Sequence, residues 1–390
     1  MSIASSVDGW VDPAFSSCLE AFRENFAADG ELGAACAIYL HGEPVLDAWG
    51  GIAVARRNTP WTEDTVAPVF SVTKGIAALC VLSLASNDRF GLQQPVAQHW
   101  PAFGAHGKSN VSIAEALGHR AGVPAITRPI TLEDLANPQE MSSRIAAEKP
   151  LFEPGTAHFY HALTIGWITT ELVRRATGQQ VGEWFREHLA EPLGLSIQIG
   201  RNAIDETPIA EVEVPPEHDS TALDPFSFPG TVLSLNGLFI PSMSGLAAAM
   251  NDPAVQRLEL AGANAMADAR SLAKLYSEAL TGTCGKPLLS PACIEEATTI
   301  VSEGPQWGME LPGPTWGAGL MLPWHVQPML GPGSFGHDGA GGSLAFAHAP
   351  SGVSFAYVRN RAGPPNVADP LVYRVVEALA DCLNLRVPKP

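Results

Sequence analysis

A strand is predicted to lead directly into a helix in the stretch Ala67-Pro68-Val69-Phe70-Ser71-Val72-Thr73-Lys74-Gly75-Ile76-Ala77-Ala78-Leu79 of this 390-residue chain. A β-like run ends at Phe70, and small and apolar residues follow Lys74, which favours a helix that begins near Ser71. Residues three apart share a helix face, so the Ser71 hydroxyl lies within reach of the Lys74 amine. An amine buried on an apolar helix has a lowered pKa and can accept the serine proton. The stretch therefore predicts an activated serine.

The Ser-x-x-Lys pattern is short, and the chain carries a second copy at Ser271-Leu272-Ala273-Lys274. That copy stands inside a helical pattern with no strand before it, so we interpret it as ordinary surface helix. Ser71 could likewise be an ordinary exposed serine on a helix instead of an activated nucleophile. The other candidate groups predicted to lie near it decide between these two interpretations.

The composition is that of a globular protein with a large buried core, at 46% hydrophobic residues. A net charge of −17 repels phosphate backbones and anionic membrane surfaces, so we expect neither nucleic acid nor a membrane as a partner. The first residues lack the pattern of a secretory leader, and no apolar run is long enough for a membrane span. We expect a cytoplasmic protein.

Strand patterns stand at both ends of the chain and helical patterns in its middle. A helix over 13–28 precedes a hairpin of strand-like runs at 34–40 and 44–49. Residues 199–240 form a long irregular excursion. Helical patterns occur at 75–86, 112–117, 132–136, 139–148, 162–177, 181–190, 242–250 and 264–280. Late strands are predicted at 316–321, 334–337, 342–348 and 353–358, before a closing helix at 367–384.

This order predicts one sheet assembled from both termini, flanked by helices, with a mostly helical lobe inserted into it. Short connections between the late strands favour antiparallel pairing. The fold class is therefore α/β, of the α+β type, in two lobes. The sheet lobe takes 1–75 and 285–390, and the helical lobe takes 76–284. Ser71 falls at their junction, where small-molecule sites usually lie.

A serine–lysine pair needs a second proton carrier for the leaving group, and Tyr160 is the best candidate. It follows the Pro-Gly turn of 152–156 and precedes a helical pattern, so it stands at a loop-to-helix junction where site residues are common. A phenol held between two amines or cations has a lowered pKa, which suits a proton carrier. A core tyrosine with a backbone partner is the alternative.

The third candidate segment is Phe335-Gly336-His337-Asp338-Gly339-Ala340-Gly341-Gly342. Glycines at this density in a strand pattern indicate close backbone approach, as in a strand whose N–H groups reach a ligand. The backbone N–H groups of Ala340 and Ser71 are candidates for an oxyanion hole. The alternative is a glycine-rich hairpin in which His337 is an ordinary, partly buried histidine.

These three segments, in this order, resemble the motifs of the serine β-lactamase and penicillin-binding-protein superfamily, especially class C β-lactamases and family VIII carboxylesterases. Ser71-Val72-Thr73-Lys74 matches the Ser-x-x-Lys motif, Tyr160-His161-Ala162 stands at the place of Tyr-x-Asn, and His337-Asp338-Gly339 at that of Lys-Thr-Gly. Segments such as 117–124 and 152–156 are similar as well, so the resemblance covers about 15–385. It implies a β-lactamase-like fold.

The resemblance also implies roles for the motif residues. Ser71 is the acylated nucleophile, Lys74 its base or proton partner, and Tyr160 the general base and acid. The N–H groups of Ser71 and Ala340 form the oxyanion hole, and no cofactor or metal is needed. The remaining motif residues are the substrate-binding positions: Ala162, His337, Asp338 and Gly339.

Two departures from the family pattern bear on the substrate. Ala162 stands where an asparagine holds the amide side chain of β-lactams, and alanine cannot hydrogen-bond. His337 replaces the lysine that lies beside the substrate carboxylate in lactam-binding members, and histidine is only partly charged at neutral pH. Both changes weaken β-lactam recognition and leave acyl transfer intact. We therefore expect a small-molecule ester as the substrate.

Signatures of other enzyme classes are missing from the sequence. It has no strict Gly-x-Ser-x-Gly, no His-Glu-x-x-His and no phosphate loop, and its strands and helices do not alternate as in an α/β-hydrolase. The cysteines are scattered without a Cys-x-x-Cys pair, so neither a disulfide nor a zinc site is predicted. They are Cys18, Cys36, Cys80, Cys284, Cys293 and Cys382.

Three functional hypotheses remain at this stage. Ester hydrolysis is favoured; β-lactam, D-amino-acid peptide or amide hydrolysis, or acyl transfer, is the family alternative; and a non-catalytic acyl-binding protein is the third. The sequence indicates neither the acyl group nor the oligomeric state. Aromatic residues that could wall the pocket, with simple packing as the alternative, are Trp10, Trp316, Trp324 and Phe228.

Overall fold

The computed structural model describes residues 6–27, 30–201, 207–219, 222–282, 287–364 and 368–386. Within these ranges the strands are β1 (Val7–Val11), β2 (Gly33–Leu40), β3 (Glu43–Val54), β4 (Thr59–Pro60), β5 (Ala67–Pro68), β6 (Ile197–Gln198), β7 (Met266–Ala267), β8 (Thr315–Trp316), β9 (Met321–Leu322), β10 (Ser334–Asp338), β11 (Leu344–His348) and β12 (Val353–Arg359).

The α-helices of the same residues include several of only one turn. They are α1 (Ser16–Ala27), α2 (Val72–Ser86), α3 (Val96–His99), α4 (Ile113–Leu117), α5 (Leu132–Leu135), α6 (Pro138–Ala147), α7 (Thr164–Thr177), α8 (Val181–Phe185), α9 (Glu191–Leu193), α10 (Phe228–Ser234), α11 (Met243–Asn251), α12 (Pro253–Gln256), α13 (Ala269–Leu280), α14 (Pro291–Ala297) and α15 (Pro370–Cys382).

Strands from both ends of the chain form one antiparallel sheet, in the order β1-β3-β2-β12-β11-β10-β9-β8, with β4 beside β3. Its centre is the pairing of β2 with β12, where Ala37 lies opposite Ala356. A smaller antiparallel sheet, β5-β7-β6, joins the segment before α2 to the middle of the chain. The predicted fold class, an antiparallel sheet built from both termini and flanked by helices, is confirmed.

The two faces of the large sheet carry side chains of different size. Along β12, Phe355 and Tyr357 belong to the apolar layer that includes α1 and α15, whereas Ala356 and Val358 face the layer of α2 and α13. This alternation is the period of two that a strand with both faces buried shows. The small residues on the second face let α13 lie directly against β2, β11 and β12.

Helix α2 is the core helix of the molecule. All of its residues from Val72 to Leu84 are buried, which is typical of a helix enclosed on every side. It contacts α7, α14 and the active-site strand β10. The helix therefore holds Ser71, the residue directly before it, between the sheet and the helical part of the chain.

One helix assigned to the helical lobe lies on the sheet instead. The pattern 264–280 divides into β7 and α13 because the side chain of Asp268 accepts the N–H of Ser271 and starts a new helix. Since α13 packs on three strands of the sheet, the chain returns to the sheet layer before residue 285. We propose a lobe boundary near Asp268 in place of 284; the boundary at 75 stays a prediction.

The second Ser-x-x-Lys copy lies in α13, but the prediction of a surface position is wrong for its serine. Ser271 is buried, and its Oγ accepts the N–H of Ser196 at 2.8 Å. Lys274 donates to the carbonyl oxygen of Leu193 at 2.6 Å. Both side chains therefore tie α13 to the 193–196 segment.

A buried ionic network joins the sheet to the terminal helices. Arg359 of β12 donates to Glu31 at 3.0 Å and also bonds Asp369, which caps the N-terminus of α15. The second oxygen of Glu31 accepts the Tyr357 hydroxyl at 3.0 Å. Burial raises the pKa of Glu31, and the guanidinium of Arg359 opposes that rise. The arginine thus compensates two buried carboxylates.

Replacing this arginine is expected to destabilise the fold strongly. Arg359→Met leaves two buried carboxylates without their cation, which costs about 3–5 kcal/mol. Arg23→Met is the matched control, because Arg23 pairs with Glu20 on the exposed face of α1 and is expected to contribute little. Urea unfolding, followed by circular dichroism, measures the free energy of unfolding of both variants. Equal losses in the two variants would contradict the stabilising role of the buried Arg359 network.

Candidate active site

The backbone before α2 presents the Ser71 side chain to solvent rather than to its own helix. Phe70 has a positive φ of 47°, an uncommon conformation for a non-glycine residue, and Ser71 makes no side-chain capping bond. The neighbouring hydroxyl of Thr73 fixes the turn instead, since it donates to the Phe70 carbonyl oxygen at 2.5 Å and accepts the N–H of Ala265 at 2.9 Å. Ser71 Oγ is therefore available for other partners.

Lys74 lies directly beside that oxygen. Its Nζ is 2.9 Å from Ser71 Oγ and 2.6 Å from the carbonyl oxygen of Gly262, and the residue is only 4% exposed. Burial lowers the pKa of Lys74 to about 7, against the opposing charge of Asp338. A neutral amine can donate one N–H to Gly262 and accept the serine proton on its lone pair, as the sequence predicts.

Tyr160 approaches Ser71 from another side. Its hydroxyl donates to Ser71 Oγ at 2.9 Å, and its N–H donates to Gln306 Oε1 at 2.7 Å. The ring stacks on Trp316 at a centroid distance of 5.5 Å, and Lys74 Nζ lies 4.8 Å from its centroid. Burial raises the pKa of Tyr160 above its ordinary value. The expectation of a lowered tyrosine pKa is therefore wrong, and the phenol stays protonated.

The glycine-rich loop after β10 lies against the segment that precedes Ser71. A Cβ on Gly339 would stand 2.4 Å from the carbonyl oxygen of Val69, so only glycine fits there. Among the described residues, neither the N–H of Ser71 nor that of Ala340 donates to an acceptor. The loop thus brings two unpaired donors to the same region, and their role as an oxyanion hole remains a proposal.

His337 differs from its sequence interpretation. The side chain is 1% exposed, lies against Gly75 of α2 and is 5.2 Å from Trp316 between ring centroids. Its Nδ1 donates to the carbonyl oxygen of Asp338 at 2.7 Å, and burial lowers its pKa to about 3. The prediction of a partly charged histidine is wrong because burial removes the hydration of the imidazolium and the charge of Lys74 also disfavours it, although the Asp338 carboxylate lies 3.6 Å from Nδ1. His337 is therefore a buried, neutral neighbour of Trp316 and α2, and its contact with a substrate stays a prediction.

Ala162 lies two residues after Tyr160, just before α7. It is buried in a small apolar cluster with Phe152, Phe159 and Val232. The backbone N–H of Ala162 donates to the carbonyl oxygen of Tyr160 at 3.0 Å, which tightens the turn before α7. Its methyl group offers no hydrogen bond to a substrate amide, and its substrate-binding role remains untested by the geometry.

Two further buried histidines, His119 and His161, lie next to Tyr160, and both are uncharged. The N–H of His161 donates to His119 Nδ1 at 3.1 Å, and the N–H of Val123 donates to His161 Nε2 at 3.1 Å. His161 Nδ1 therefore carries the proton and donates it to the Phe159 carbonyl oxygen. Burial lowers the pKa of both rings, so they position Tyr160 without adding charge.

The aromatic residues predicted to wall the pocket lie near the site only in part. Trp10 lies on β1, with four strands between it and β10, which places it about 24 Å from the site. Trp324 packs against the layer of α1 and α15. Phe228 of α10 meets Phe159 at 4.7 Å and Trp307 at 5.6 Å between ring centroids, so the 199–240 excursion does reach the Tyr160 loop.

Sequence reasoning missed several supporting groups. The carbonyl of Gly262 carries no side-chain signal, and Gln306 stands in a loop without a motif. Trp316 was considered only as a pocket wall, although it is buried under Tyr160. An aromatic residue that follows a predicted tyrosine site by more than a hundred positions gives no spacing from which stacking can be inferred.

In the described ranges no group of three His, Cys, Asp or Glu residues is placed to hold a metal ion, and no helix is both long and apolar enough to cross a bilayer. The five described cysteines are free thiols, and Cys284 lies outside the described residues.

Comparison with known proteins places this geometry in a family. The beta-lactamase family model matches residues 20–380. The chain is 33% identical over 372 residues to the esterase/beta-lactamase LipL of Mycobacterium tuberculosis, with 93% of this chain and 84% of that protein covered.

Two solved structures are similar over their whole length. A family VIII carboxylesterase superposes with a TM-score of 0.85 at 31% identity, covering 97% of this chain and 100% of that one. A penicillin-binding protein homologue from Caulobacter crescentus gives 0.81 at 32% identity, with the same coverage. The match of the family model from residue 20 to residue 380, with these relatives, shows that the chain belongs to the beta-lactamase family of serine hydrolases.

Proposed function

We propose that this chain hydrolyses small carboxylic esters through an acyl-enzyme on Ser71. The observation that carries the proposal is the contact of Ser71 Oγ with both Lys74 Nζ and the Tyr160 hydroxyl, each at 2.9 Å. The esterase named among its relatives and the family VIII carboxylesterase fold support an ester substrate. Membership of a hydrolase family sets aside the hypothesis of a non-catalytic binding protein.

The proposed acylation step uses the protons on Ser71, Lys74 and Tyr160 in turn. Neutral Lys74 takes the Ser71 proton while Oγ attacks the ester carbonyl carbon, and the resulting oxyanion accepts the N–H groups of Ser71 and Ala340. The C–O bond to the alcohol then breaks. Tyr160 donates its proton to the departing alkoxide and regains one from the Lys74 ammonium, so the acyl-enzyme forms with no net change in protonation.

Deacylation repeats these steps with water. Lys74, neutral again, accepts a proton from the attacking water through the Tyr160 hydroxyl, and the second tetrahedral oxyanion uses the same two N–H groups. The bond between the acyl carbon and Ser71 Oγ breaks, Oγ regains its proton, and the carboxylic acid leaves. Because burial raises the pKa of Tyr160, we assign the base to Lys74 and a relay to Tyr160.

A β-lactam is the second candidate substrate, because the relative from Mycobacterium tuberculosis is named both esterase and beta-lactamase. Two features of this chain weaken the case for a β-lactam substrate. Ala162 is turned into an apolar cluster, and His337 is buried and uncharged, so neither holds the polar groups of a lactam. The ester therefore remains the better-supported substrate.

A fluorophosphonate probe tests the nucleophile. We expect a single adduct, on Ser71, and a loss of ester hydrolysis of at least about a thousandfold in Ser71→Ala. Ser271→Ala is the matched control from the second motif, and it should keep near-full kcat/KM with a stability loss of about 1 kcal/mol for its hydrogen bond. Mass spectrometry of labelled peptides locates the adduct; labelling at another serine would overturn the proposal.

A direct comparison of substrates tests the preference for esters. Two lost polar contacts to a lactam, at about 1.5 kcal/mol each, predict a kcat/KM about a hundredfold lower for a chromogenic β-lactam than for a short-chain nitrophenyl ester. Both rates are read by absorbance on one enzyme preparation. Equal values of kcat/KM would show that the interpretation of Ala162 and His337 is wrong.

The pH profile tests the assignment of the base. Since the pKa of Lys74 is about 7, kcat/KM should rise with pH through an acid limb near 7 and level off above it. The charge of Asp338 raises the pKa of Lys74, so Asp338→Asn should move the limb to lower pH. Glu43→Gln, at the exposed first residue of β3 and with three strands between it and β10, should leave the acid limb at the same pH. A limb that moves to higher pH in Asp338→Asn would contradict the assignment.

A further inference from the structure

Asp338 ends β10 one residue before the glycine that touches the segment of the nucleophile. Its side chain is 36% exposed, in contrast to the buried His337 beside it. Its charge acts on both Lys74 and Tyr160 and raises the pKa of each. A carboxylate that is partly exposed and acts on the two groups around Ser71 Oγ lies at the edge of the reaction site.

The protein leaves most of this carboxylate unused. Gln327 Nε2 donates to Asp338 Oδ2 at 3.3 Å, and His337 Nδ1 stands 3.6 Å from Oδ1 while it donates to the backbone instead. An ionised carboxylate has about four acceptor positions, so several remain for a ligand. Gln327 is itself buried, and its Oε1 has no partner among the described residues.

No permanent cation balances Asp338 among the groups at the reacting serine. Lys74 is half neutral near pH 7 because its pKa is about 7. Tyr160 keeps its proton, and His337, His119 and their neighbours are uncharged, as shown above. A substrate beside Ser71 therefore meets a site whose formal charge is negative or zero, within a chain whose net charge is −17.

We propose that Asp338 selects among substrates by charge, so that the site prefers esters that carry a positively charged amine or quaternary ammonium group and disfavours esters that carry a carboxylate. The proposal rests on ester hydrolysis at Ser71. A partly exposed carboxylate retains part of its Coulomb interaction with a nearby ligand charge, and we expect a preference of about tenfold for the cation over a neutral isostere. Through the same interaction, the carboxylate disfavours an anionic ester by a similar factor.

Two acetate esters of equal shape isolate the charge. Acetylcholine and 3,3-dimethylbutyl acetate differ only in a quaternary nitrogen in place of a quaternary carbon, and 3-carboxypropyl acetate supplies an anionic ester. Acid release in a pH-stat at pH 8 gives kcat/KM for each. The ratio of the charged to the neutral ester cancels any effect of a variant on the catalytic groups themselves.

Asp338→Asn keeps the shape of the side chain and removes its charge. In the wild type we expect a choline-to-dimethylbutyl ratio of about ten and a carboxypropyl-to-dimethylbutyl ratio of about one tenth. In Asp338→Asn the choline ratio should approach one and the carboxypropyl ratio should rise, whereas both should stay at the wild-type values in Glu43→Gln. Added salt should also reduce the wild-type ratios, because screening weakens the interaction of partly exposed charges.

The outcomes separate this proposal from the proposed function. A wild-type choline ratio near one, or ratios that Asp338→Asn leaves unchanged, would overturn the charge selection while ester hydrolysis stands. If Asp338→Asn does not fold, as judged by its circular dichroism, wild-type ratios that do not change with salt overturn it equally. Failure of the proposed function is different: no ester is hydrolysed, or Ser71→Ala hydrolyses them as fast as the wild type.

Discussion

The burial of the Lys74 amine next to Ser71 Oγ is the interaction on which the rest of the site depends. An ammonium enclosed in α2 loses its hydration, so its pKa falls to about 7, and in the proposed reaction the neutral amine is the base for the serine. The carbonyl of Gly262 holds that amine at 2.6 Å, and a helix buried on all sides keeps the serine and the lysine one turn apart. Without this desolvation the serine hydroxyl would remain an ordinary, weak nucleophile.

The sheet supplies the second constraint. Antiparallel pairing of strands from both termini places β10 beside α2, and Gly339 allows the loop after β10 to touch the segment before Ser71. The same strand alternates a buried His337 with a partly exposed Asp338. The strand therefore provides packing beneath the site and a charge at its edge, and the loop after it provides the unpaired N–H of Ala340.

Much of the fold and of the candidate site could be predicted from the sequence, because the patterns that indicate them are local. The helix after Ser71, the antiparallel strands at both ends and the loop position of Tyr160 each follow from patterns of a few residues. The charge states of Tyr160 and His337 could not be predicted, since they depend on burial by residues far away in the chain, such as Trp316. The packing of α13 on the sheet could not be predicted for a similar reason: helical periodicity does not say which surface a helix covers.

Titration of Lys74 in the intact protein tests the central claim most directly. In protein labelled with ¹³C at the lysine Cε, the Lys74 resonance is identified by its loss in Lys74→Arg and followed with pH by nuclear magnetic resonance. We predict a midpoint near 7 for Lys74, against about 8 for the buried Lys108 and about 10 for an exposed lysine. A Lys74 midpoint near 10 would show a permanently charged ammonium and contradict the account.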